Sequence, residues 1–174
     1  MSVLIFIDTA EGHVKKASME ALTYGADLAA QLGTHAQGIV LGTVTEDLTA
    51  LGKYGVKKIH QVADQALDHF DAGSYSAVIA EACGSTGANV LVFSNTVSGK
   101  AIAPRVSAKL KAGLVAGAVG LPDTSNGFTI KKSVFSGKAF ARVNVATPVK
   151  IIALNPNSYR SEEHTSELQS RQYL

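Results

Sequence analysis

The sequence predicts an α/β protein in which a mainly parallel sheet is flanked by helices. Short apolar runs rich in Val and Ile recur without polar alternation, which is typical of strands covered on both faces. Segments with apolar residues at helical spacing separate these runs, and such an alternation favours a parallel, doubly wound sheet. Glycines and small polar residues mark the junctions.

The first half of the chain supplies four strands and three helices. We predict strands at Val3–Ile7, Ala36–Leu41, Lys57–Val62 and Val90–Phe93. We predict helices at Lys15–Leu32, Glu46–Leu51 and Tyr75–Gly87. Strands that are joined through helical segments pair in parallel, because a parallel pair needs a long crossover connection.

The middle of the chain continues this pattern with a basic helix. Ile102, Val106 and Leu110 recur every four residues, which indicates one buried helix face. We expect Pro104 in the first turn of this helix, where a missing N–H costs nothing, and Gly113 at its end. A Gly-rich strand, LVAGAV, follows.

After that strand the helical spacing disappears. Strands are predicted at Phe128–Phe135, Ala139–Val145 and Lys150–Leu154, with no helix between them. Ser136 and Gly137 are expected to form a tight turn between the first two. We therefore expect the sheet to end in an antiparallel C-terminal strand extension.

Composition and charge describe a folded domain with an uneven charge distribution. The chain has 174 residues, 46% of them hydrophobic, and no apolar run long enough to span a bilayer. Residues 1–89 carry 5 Lys/Arg and 10 Asp/Glu (−5), whereas residues 90–159 carry 9 Lys/Arg and 1 acid (+8). The basic half indicates either a face for an acidic partner or phosphate-bearing ligand, or a solvated rim. We expect no nucleic-acid partner, and the single cysteine and absent signal peptide favour the cytoplasm.

The last residues differ from everything before them. Apolar periodicity stops at Tyr159, and the eleven residues RSEEHTSELQS match the translation of a common sequencing-library adapter. We interpret Arg160–Leu174 as a non-native, disordered tail and residues 1–159 as the domain. A natural polar tail is the alternative.

Four segments together resemble a known family. They are SVLIFIDTAEG, GKYGVKKI, the stretch GKAIAPRVSAKL before the Gly-rich strand, and VFSGKAFARV. In this order they are similar to the N-terminal domain of the electron transfer flavoprotein alpha subunit, from Ser2 to about Tyr159. The resemblance implies a Rossmann-like fold of the adenine-nucleotide-hydrolase type. It also implies that an FAD-binding C-terminal domain is absent from this chain.

The resemblance further implies a function. Such a subunit pairs with a beta subunit in a heterodimer with one FAD and takes part in fatty acid beta-oxidation. It accepts electrons from acyl-CoA-type dehydrogenases and passes them to a quinone oxidoreductase or another acceptor. The domain itself would be structural and partner-binding, not an enzyme, with no FAD contact and no direct membrane insertion. The motif positions that would serve an interface or a structural role are Arg105, Lys109, Gly137 and Lys138.

One loop is a candidate phosphate site. It lies between a strand and a helix N-terminus, where backbone N–H groups can hold an anion, and its residues are Ser94, Asn95, Thr96, Ser98, Gly99 and Lys100. It is not a P-loop, because Ser94 stands where that motif has glycine. The family's beta subunit holds AMP at the equivalent crevice, so the resemblance implies a vestigial nucleotide site. A stand-alone adenine-nucleotide-binding module is the alternative function.

The remaining candidates have structural interpretations. Asp8 ends the first strand and either lines a crevice with Thr9, Glu11 and Gly12 or caps the following turn, and we favour capping. Cys83 is expected to pack as a small hydrophobe. No metal spacing and no catalytic constellation is found, so a small-molecule enzyme is the least supported class. The histidines considered for a metal were His13, His35, His60 and His69.

Overall fold

An eight-stranded sheet organises residues 2–159, the part of the chain that the computed structural model describes. The tail Arg160–Leu174 lies outside the described residues. The strands of residues 2–159 are β1 (Val3–Ile7), β2 (Thr9–Ala10), β3 (His13–Val14), β4 (Ala36–Leu41), β5 (Lys58–Val62), β6 (Val90–Ser94), β7 (Gly113–Ala118), β8 (Thr129–Val134), β9 (Ala139–Asn144) and β10 (Lys150–Leu154). The short strands β2 and β3 pair with each other outside the main sheet, which the other eight strands form. The α-helices are α1 (Lys16–Gln31), α2 (Ala72–Thr86) and α3 (Val97–Leu110), and 3-10 helices span Leu48–Tyr54, Gln65–Leu67 and Phe135–Gly137.

The order of the strands confirms the predicted fold class. The sheet runs β5-β4-β1-β6-β10-β7-β8-β9, and every pair from β5 to β7 is parallel. The β7–β8 and β8–β9 pairs are antiparallel. The fold is therefore Rossmann-like, with helices on both faces and an antiparallel extension at one edge.

The first strand shows why the sequence lacks polar alternation. Val3, Ile5 and Ile7 pack with α1, whereas Leu4 and Phe6 pack with α2 and α3. All five side chains are buried, because a helix layer covers each face of the sheet.

In residues 2–159 no helix is both long and apolar enough to cross a membrane.

The last strand does not lie where the sequence predicted. Lys150–Leu154 was assigned to the antiparallel extension, but β10 runs parallel between β6 and β7, in the middle of the sheet. Its residues Ile151, Ile152 and Ala153 are all buried, so the strand needs neighbours and helices on every side. The extension consists of β8 and β9 alone, and the chain returns from them to the core.

Two expectations for the basic helix were also wrong. Pro104 is the eighth residue of α3, not a first-turn residue. The Nη1 of Arg105 donates to the carbonyl oxygen of Ala101 at 2.7 Å, close to the point where proline removes a backbone donor. The helix ends at Lys111, which has a positive φ of 51°. Gly113 instead is the first residue of β7. A larger residue would not fit at this position, because a Cβ there would lie 2.5 Å from Cγ1 of Val145.

The segment predicted as a short helix at Glu46–Leu51 is a 3-10 helix that starts later, at Leu48. Asp47 caps it, since its Oδ1 accepts from the Thr49 N–H at 2.9 Å. The hydrogen bonds to Thr49 lower the pKa of Asp47. Asp71 likewise caps α2, which therefore begins at Ala72, three residues before the predicted start.

Candidate functional site

Two clefts open at the carboxyl edge of the parallel strands, where open α/β sheets bind ligands. The first has a volume of about 390 Å³ and lies above β1 and β4. We call it the acidic cleft, and its charged lining residues are Asp8, Glu11, Lys15 and Asp68. The second has a volume of about 660 Å³ and lies above β6, β10 and β7. We call it the basic cleft, and its polar side chains are Asn95, Lys100, Ser133, Ser136 and Asn155.

Asp8 is a lining residue of the acidic cleft, so the preference for a helix cap was wrong. Its Oδ2 accepts from Nζ of Lys15 at 2.8 Å, and the same ammonium reaches Oγ of Ser98 at 3.4 Å. The N-cap residue of helix α1 is Lys15, and its side chain makes no capping hydrogen bond in the described part of the chain. The hydroxyl of Ser18 bonds to the backbone of Asp8, which fixes the turn after β1. The Lys15 ammonium therefore forms an ion pair with the buried Asp8 carboxylate.

The opposite wall of the acidic cleft was missed in the sequence. Asp68 accepts from the Thr43 N–H at 2.7 Å, which ties the loop after β4 to the loop before α2. Phe70 is 48% exposed at the rim and meets Tyr75 edge-on at 5.2 Å between ring centroids. Both Asp68 and Phe70 follow a 3-10 helix that has no periodic signal, so only the folded chain brings them to Asp8.

The charge of the acidic cleft disfavours phosphate-bearing ligands. Three carboxylates face one ammonium group, and that ammonium is already paired. Burial, followed by the negative charges of Asp8 and Asp68, raises the pKa of Tyr75. The negative charges of Asp8 and Asp68 would also repel a pyrophosphate. These residues of the acidic cleft therefore do not fit the pyrophosphate of FAD.

The candidate phosphate loop is divided between the two clefts. Ser94, Thr96 and Gly99 hold the loop together: Ser94 donates to the Ala17 carbonyl at 2.7 Å, and Thr96 accepts from the Gly99 N–H at 3.3 Å as the cap of α3. Ser98 lines the acidic cleft. The other two members of the loop, Asn95 and Lys100, line the basic cleft.

The floor of the basic cleft is a pair of amides. Nδ2 of Asn95 donates to Oδ1 of Asn155 at 2.8 Å, across the carboxyl ends of β6 and β10. Oδ1 of Asn95 is buried and has no hydrogen-bond partner in the described part of the chain. Asn155 was missed because its strand was assigned to the extension. A polar residue directly after a buried strand was the signal, as at Asp8.

The other motif residues lie around the same edge. Gly137, with a φ of 85°, ends a turn in which Phe135 and Ser136 also have positive φ values of 50° and 53°. This turn is longer than the two-residue turn that the sequence predicted, and Gly137 lines the basic cleft. Lys138 and Lys109 are exposed. The charge of Arg105 is close enough to Asp71 to contribute to the lowered pKa of that carboxyl, after the hydrogen bonds from Ser74.

The β8–β9 hairpin carries an exposed face outside the helix layers. Lys131 pairs with Arg142 across the strands and Ser133 with Phe140, so these side chains share the face opposite the buried Ile130. We call Lys131, Phe140 and Arg142 the hairpin face. Phe140 is 58% exposed, with Nζ of Lys131 4.1 Å from its ring centroid. β9 is the terminal strand of the sheet.

The histidines do not converge. His13 pairs with Glu46 at 3.0 Å, and His60 bonds to Gln37 at 2.8 Å on the far edge of the sheet. Burial and the nearby Lys58 lower the pKa of His60. Within residues 2–159, His, Cys, Asp and Glu nowhere form a group of three suited to a metal.

Cys83 is buried, and its Sγ donates to the Ala88 carbonyl at 3.0 Å. Burial raises the pKa of the thiol, which lowers its thiolate fraction. We expect native Cys83 to react with a disulfide reagent at least about a hundredfold more slowly than after unfolding in guanidinium chloride. Absorbance of the released thiol measures both rates, and fast stoichiometric reaction of the native protein would contradict this expectation.

Fold and clefts define a doubly wound α/β domain with two clefts at the carboxyl edge of its parallel strands. Comparison with known proteins gives the family: residues 3–171 match the model of the electron transfer flavoprotein domain. The electron transfer flavoprotein subunit alpha of Bacillus subtilis (strain 168) is 24% identical over 162 residues, which cover 92% of this chain and 49% of that protein. The corresponding subunit of Syntrophomonas wolfei subsp. wolfei is 27% identical, over 82% of this chain and 44% of that protein. The subunit LctC of a lactate dehydrogenase (NAD(+),ferredoxin) from Acetobacterium woodii is 27% identical, over 81% of this chain and 34% of that protein.

This chain belongs to the electron transfer flavoprotein domain family. The resemblance to the alpha subunit that the sequence motifs indicated is confirmed. The chain spans about half the length of the first two of these relatives.

Proposed function

We propose that this chain is the N-terminal part of the alpha subunit of a heterodimeric, FAD-containing electron carrier, and that residues 2–159 are its structural and partner-binding body. Family membership and the alpha-subunit relatives support the carrier role. The hairpin face is the observation that carries the partner-binding role.

The hairpin face has the properties of a protein interface. A large aromatic side chain stays exposed next to two cationic ones, and aromatic residues and arginine are the side chains that dominate binding energy at interfaces. Among the described residues no strand pairs with the outer edge of the terminal strand β9, and such an edge is a template for pairing with another chain. The proposed partner is the beta subunit.

The partners in electron transfer are proposed on the resemblance alone. We propose acyl-CoA-type dehydrogenases as donors, a quinone oxidoreductase or another protein as acceptor, and the cytoplasm as the location. One relative is named as a subunit of a lactate dehydrogenase, so a lactate-oxidising partner is a second candidate donor. Reduction of the assembled carrier by each dehydrogenase, followed by flavin absorbance, distinguishes the two.

FAD is proposed for the intact protein, bound outside residues 2–159. The negative acidic cleft does not fit a pyrophosphate, and the family resemblance assigns the cofactor to another domain. FAD supplies the redox chemistry when bound. The α/β body described here contributes a rigid support that fixes one subunit against the other.

The first test is binding to the cognate beta subunit. With both chains co-expressed, we expect a complex in which Phe140→Asp weakens binding at least about thirtyfold, because it removes an aromatic anchor and adds charge. Calorimetric titration of the separately purified subunits measures the dissociation constant.

Phe70→Asp is the matched control for this test. Phe70 is also an exposed phenylalanine, but it lies at the acidic cleft, so its substitution should leave the affinity for the beta subunit unchanged. If the wild-type chain fails to bind the beta subunit, the partner-binding proposal is wrong for this chain.

A further inference from the structure

We propose that the beta subunit extends the main sheet at β9, with one of its own strands hydrogen-bonded through the main chain to the outer edge of β9. The added strand carries an acidic residue opposite Arg142 and an apolar residue opposite Phe140. This inference rests on the proposed function and deepens it, because it states how the two chains join and which side chains the partner strand presents.

The backbone of β9 directs every second residue away from β8. The N–H of Val145 donates to the carbonyl oxygen of Phe128 at 2.8 Å, so the backbone groups of Val145 face the β8 side of the hairpin. Because the bonding direction alternates along an antiparallel strand, the odd-numbered residues of β9 also bond to β8. The residues whose N–H and C=O groups point outward are therefore Phe140, Arg142 and Asn144. Within residues 2–159 no strand lies on that side, and an added strand would satisfy these groups.

The charges of the hairpin favour an acidic partner. Lys131 on β8 lies directly opposite Arg142 on β9. Their position is the kind without hydrogen bonds between the two residues, where side chains come closest, and like charges placed there repel. Arg142 contributes to the lowered pKa of Asp123, after the hydrogen bonds from Ser125, but among the described residues neither cation of the hairpin pair forms an ion pair. A carboxylate on the outer side of Arg142 would offset the repulsion.

Phe140 sets the second position of the partner strand. Its ring is 58% exposed, and its contact on the β8 side is Nζ of Lys131, 4.1 Å from the ring centroid. Phe140 and Arg142 are two residues apart in one strand, so both side chains project from the same face. A strand paired with β9 would place one residue directly opposite each of them, and an apolar residue opposite the exposed ring gives the more favourable pair. An acidic and an apolar residue two positions apart therefore mark the partner strand.

A second copy of this chain fits the edge less well than an acidic strand. Residues 124–149 contain no Asp or Glu, and their cations are Lys131, Lys132, Lys138 and Arg142. Two copies joined edge to edge at β9 would bring two such basic hairpins together, which costs electrostatic energy. The same cations attract a strand that carries carboxylates.

Amide hydrogen exchange tests the main-chain pairing. Residue-resolved exchange is measured in the full chain alone and in its complex with the cognate beta subunit. The amides of Phe140, Arg142 and Asn144 should exchange at least about tenfold more slowly in the complex, because the added strand accepts a hydrogen bond from each. The amides of β5, the strand at the opposite edge of the sheet, are the internal control and should change by less than about twofold.

The possible outcomes separate this inference from the proposed function. Unchanged exchange at the three outward amides in a complex that forms would overturn the strand pairing and leave the proposed function intact. Slower exchange of these amides in the chain alone at high concentration would assign the edge to a second copy and would also overturn the pairing. If no complex forms, both proposals are wrong.

Charge reversal tests the acidic residue of the partner strand. Arg142→Glu should weaken binding to the beta subunit at least about tenfold. Lys58→Glu is the matched control, because it reverses an exposed cation on β5, and its effect should be smaller than about twofold. Circular dichroism establishes that both variants are folded. Equal losses for the two variants, or no loss for either, would contradict an acidic residue opposite Arg142.

Rescue identifies the partner strand. Each acidic residue of the beta subunit is changed to lysine in turn, and one such change within a strand should restore the affinity of Arg142→Glu. Restoration by a residue outside any strand would show that side chains dock without strand pairing, and the proposal would then be wrong.

Discussion

Gly99→Ala is expected to destabilise the protein by more than about 3 kcal/mol or to prevent folding. A Cβ at this position would stand 1.9 Å from the carbonyl oxygen of Ser94 and 3.1 Å from its carbonyl carbon. Both atoms belong to the backbone at the end of β6, so no side-chain rotation relieves the overlap. Helix α3 would have to move away from the sheet. Unfolding in guanidinium chloride, followed by circular dichroism, measures the change.

Gly84→Ala provides the matched control. Gly84 lies in α2, and a Cβ there meets nothing within 4 Å. Because alanine is a better helix former, this variant should gain about 0.5–1 kcal/mol. A Gly99→Ala protein with a stability within about 1 kcal/mol of the wild type would show that the contact between α3 and β6 is not as close as described.

Glu20→Ala is expected to cost about 2–4 kcal/mol, because it removes the acceptor of two backbone donors at once. The Glu20 carboxylate is buried on α1 and accepts from the N–H of Asn157 at 2.8 Å and of Tyr159 at 2.6 Å. These contacts hold the segment after β10 against α1. Tyr159 in turn packs edge-on against Tyr24 at 5.2 Å and donates to Asp27 at 2.5 Å.

The same change at Glu81 is the control for Glu20. Glu81 is exposed on α2, and Glu81→Ala should alter the free energy of unfolding by less than about 0.5 kcal/mol. In Glu20→Ala, proteolysis should also begin near Tyr159 earlier than in the wild type. Equal stabilities of the two variants would mean that Glu20 does not anchor the C-terminal turn.

The predicted and observed folds agree where local patterns are strong. Val3–Ile7 and Val90–Phe93 are unbroken apolar runs, Ala36–Leu41 is interrupted only by Gln37 and Gly38, and all three became parallel strands inside the sheet. The assignment failed at Lys150–Leu154. Sequence order suggested that this strand continued the extension, whereas the burial of both faces places it between β6 and β7.

The site was predictable only in part, for a physical reason. Asp8 and the loop from Ser94 to Lys100 follow strands, so their place at the carboxyl edge could be inferred from the sequence. Their partners could not: the Asp8–Lys15 pair and the Asn95–Asn155 pair join residues whose contact depends on strand order and loop path.

The sequence by itself determined the α/β class, the extension and the family, because hydrophobic periodicity and ordered motifs are local properties. The tertiary structure alone decided the charge of each cleft. It commits Lys15 to a buried carboxylate and leaves Lys100 without an acidic partner in residues 2–159. The interaction energy of two charges falls with the distance between them, and only the folded chain sets the distances between these side chains.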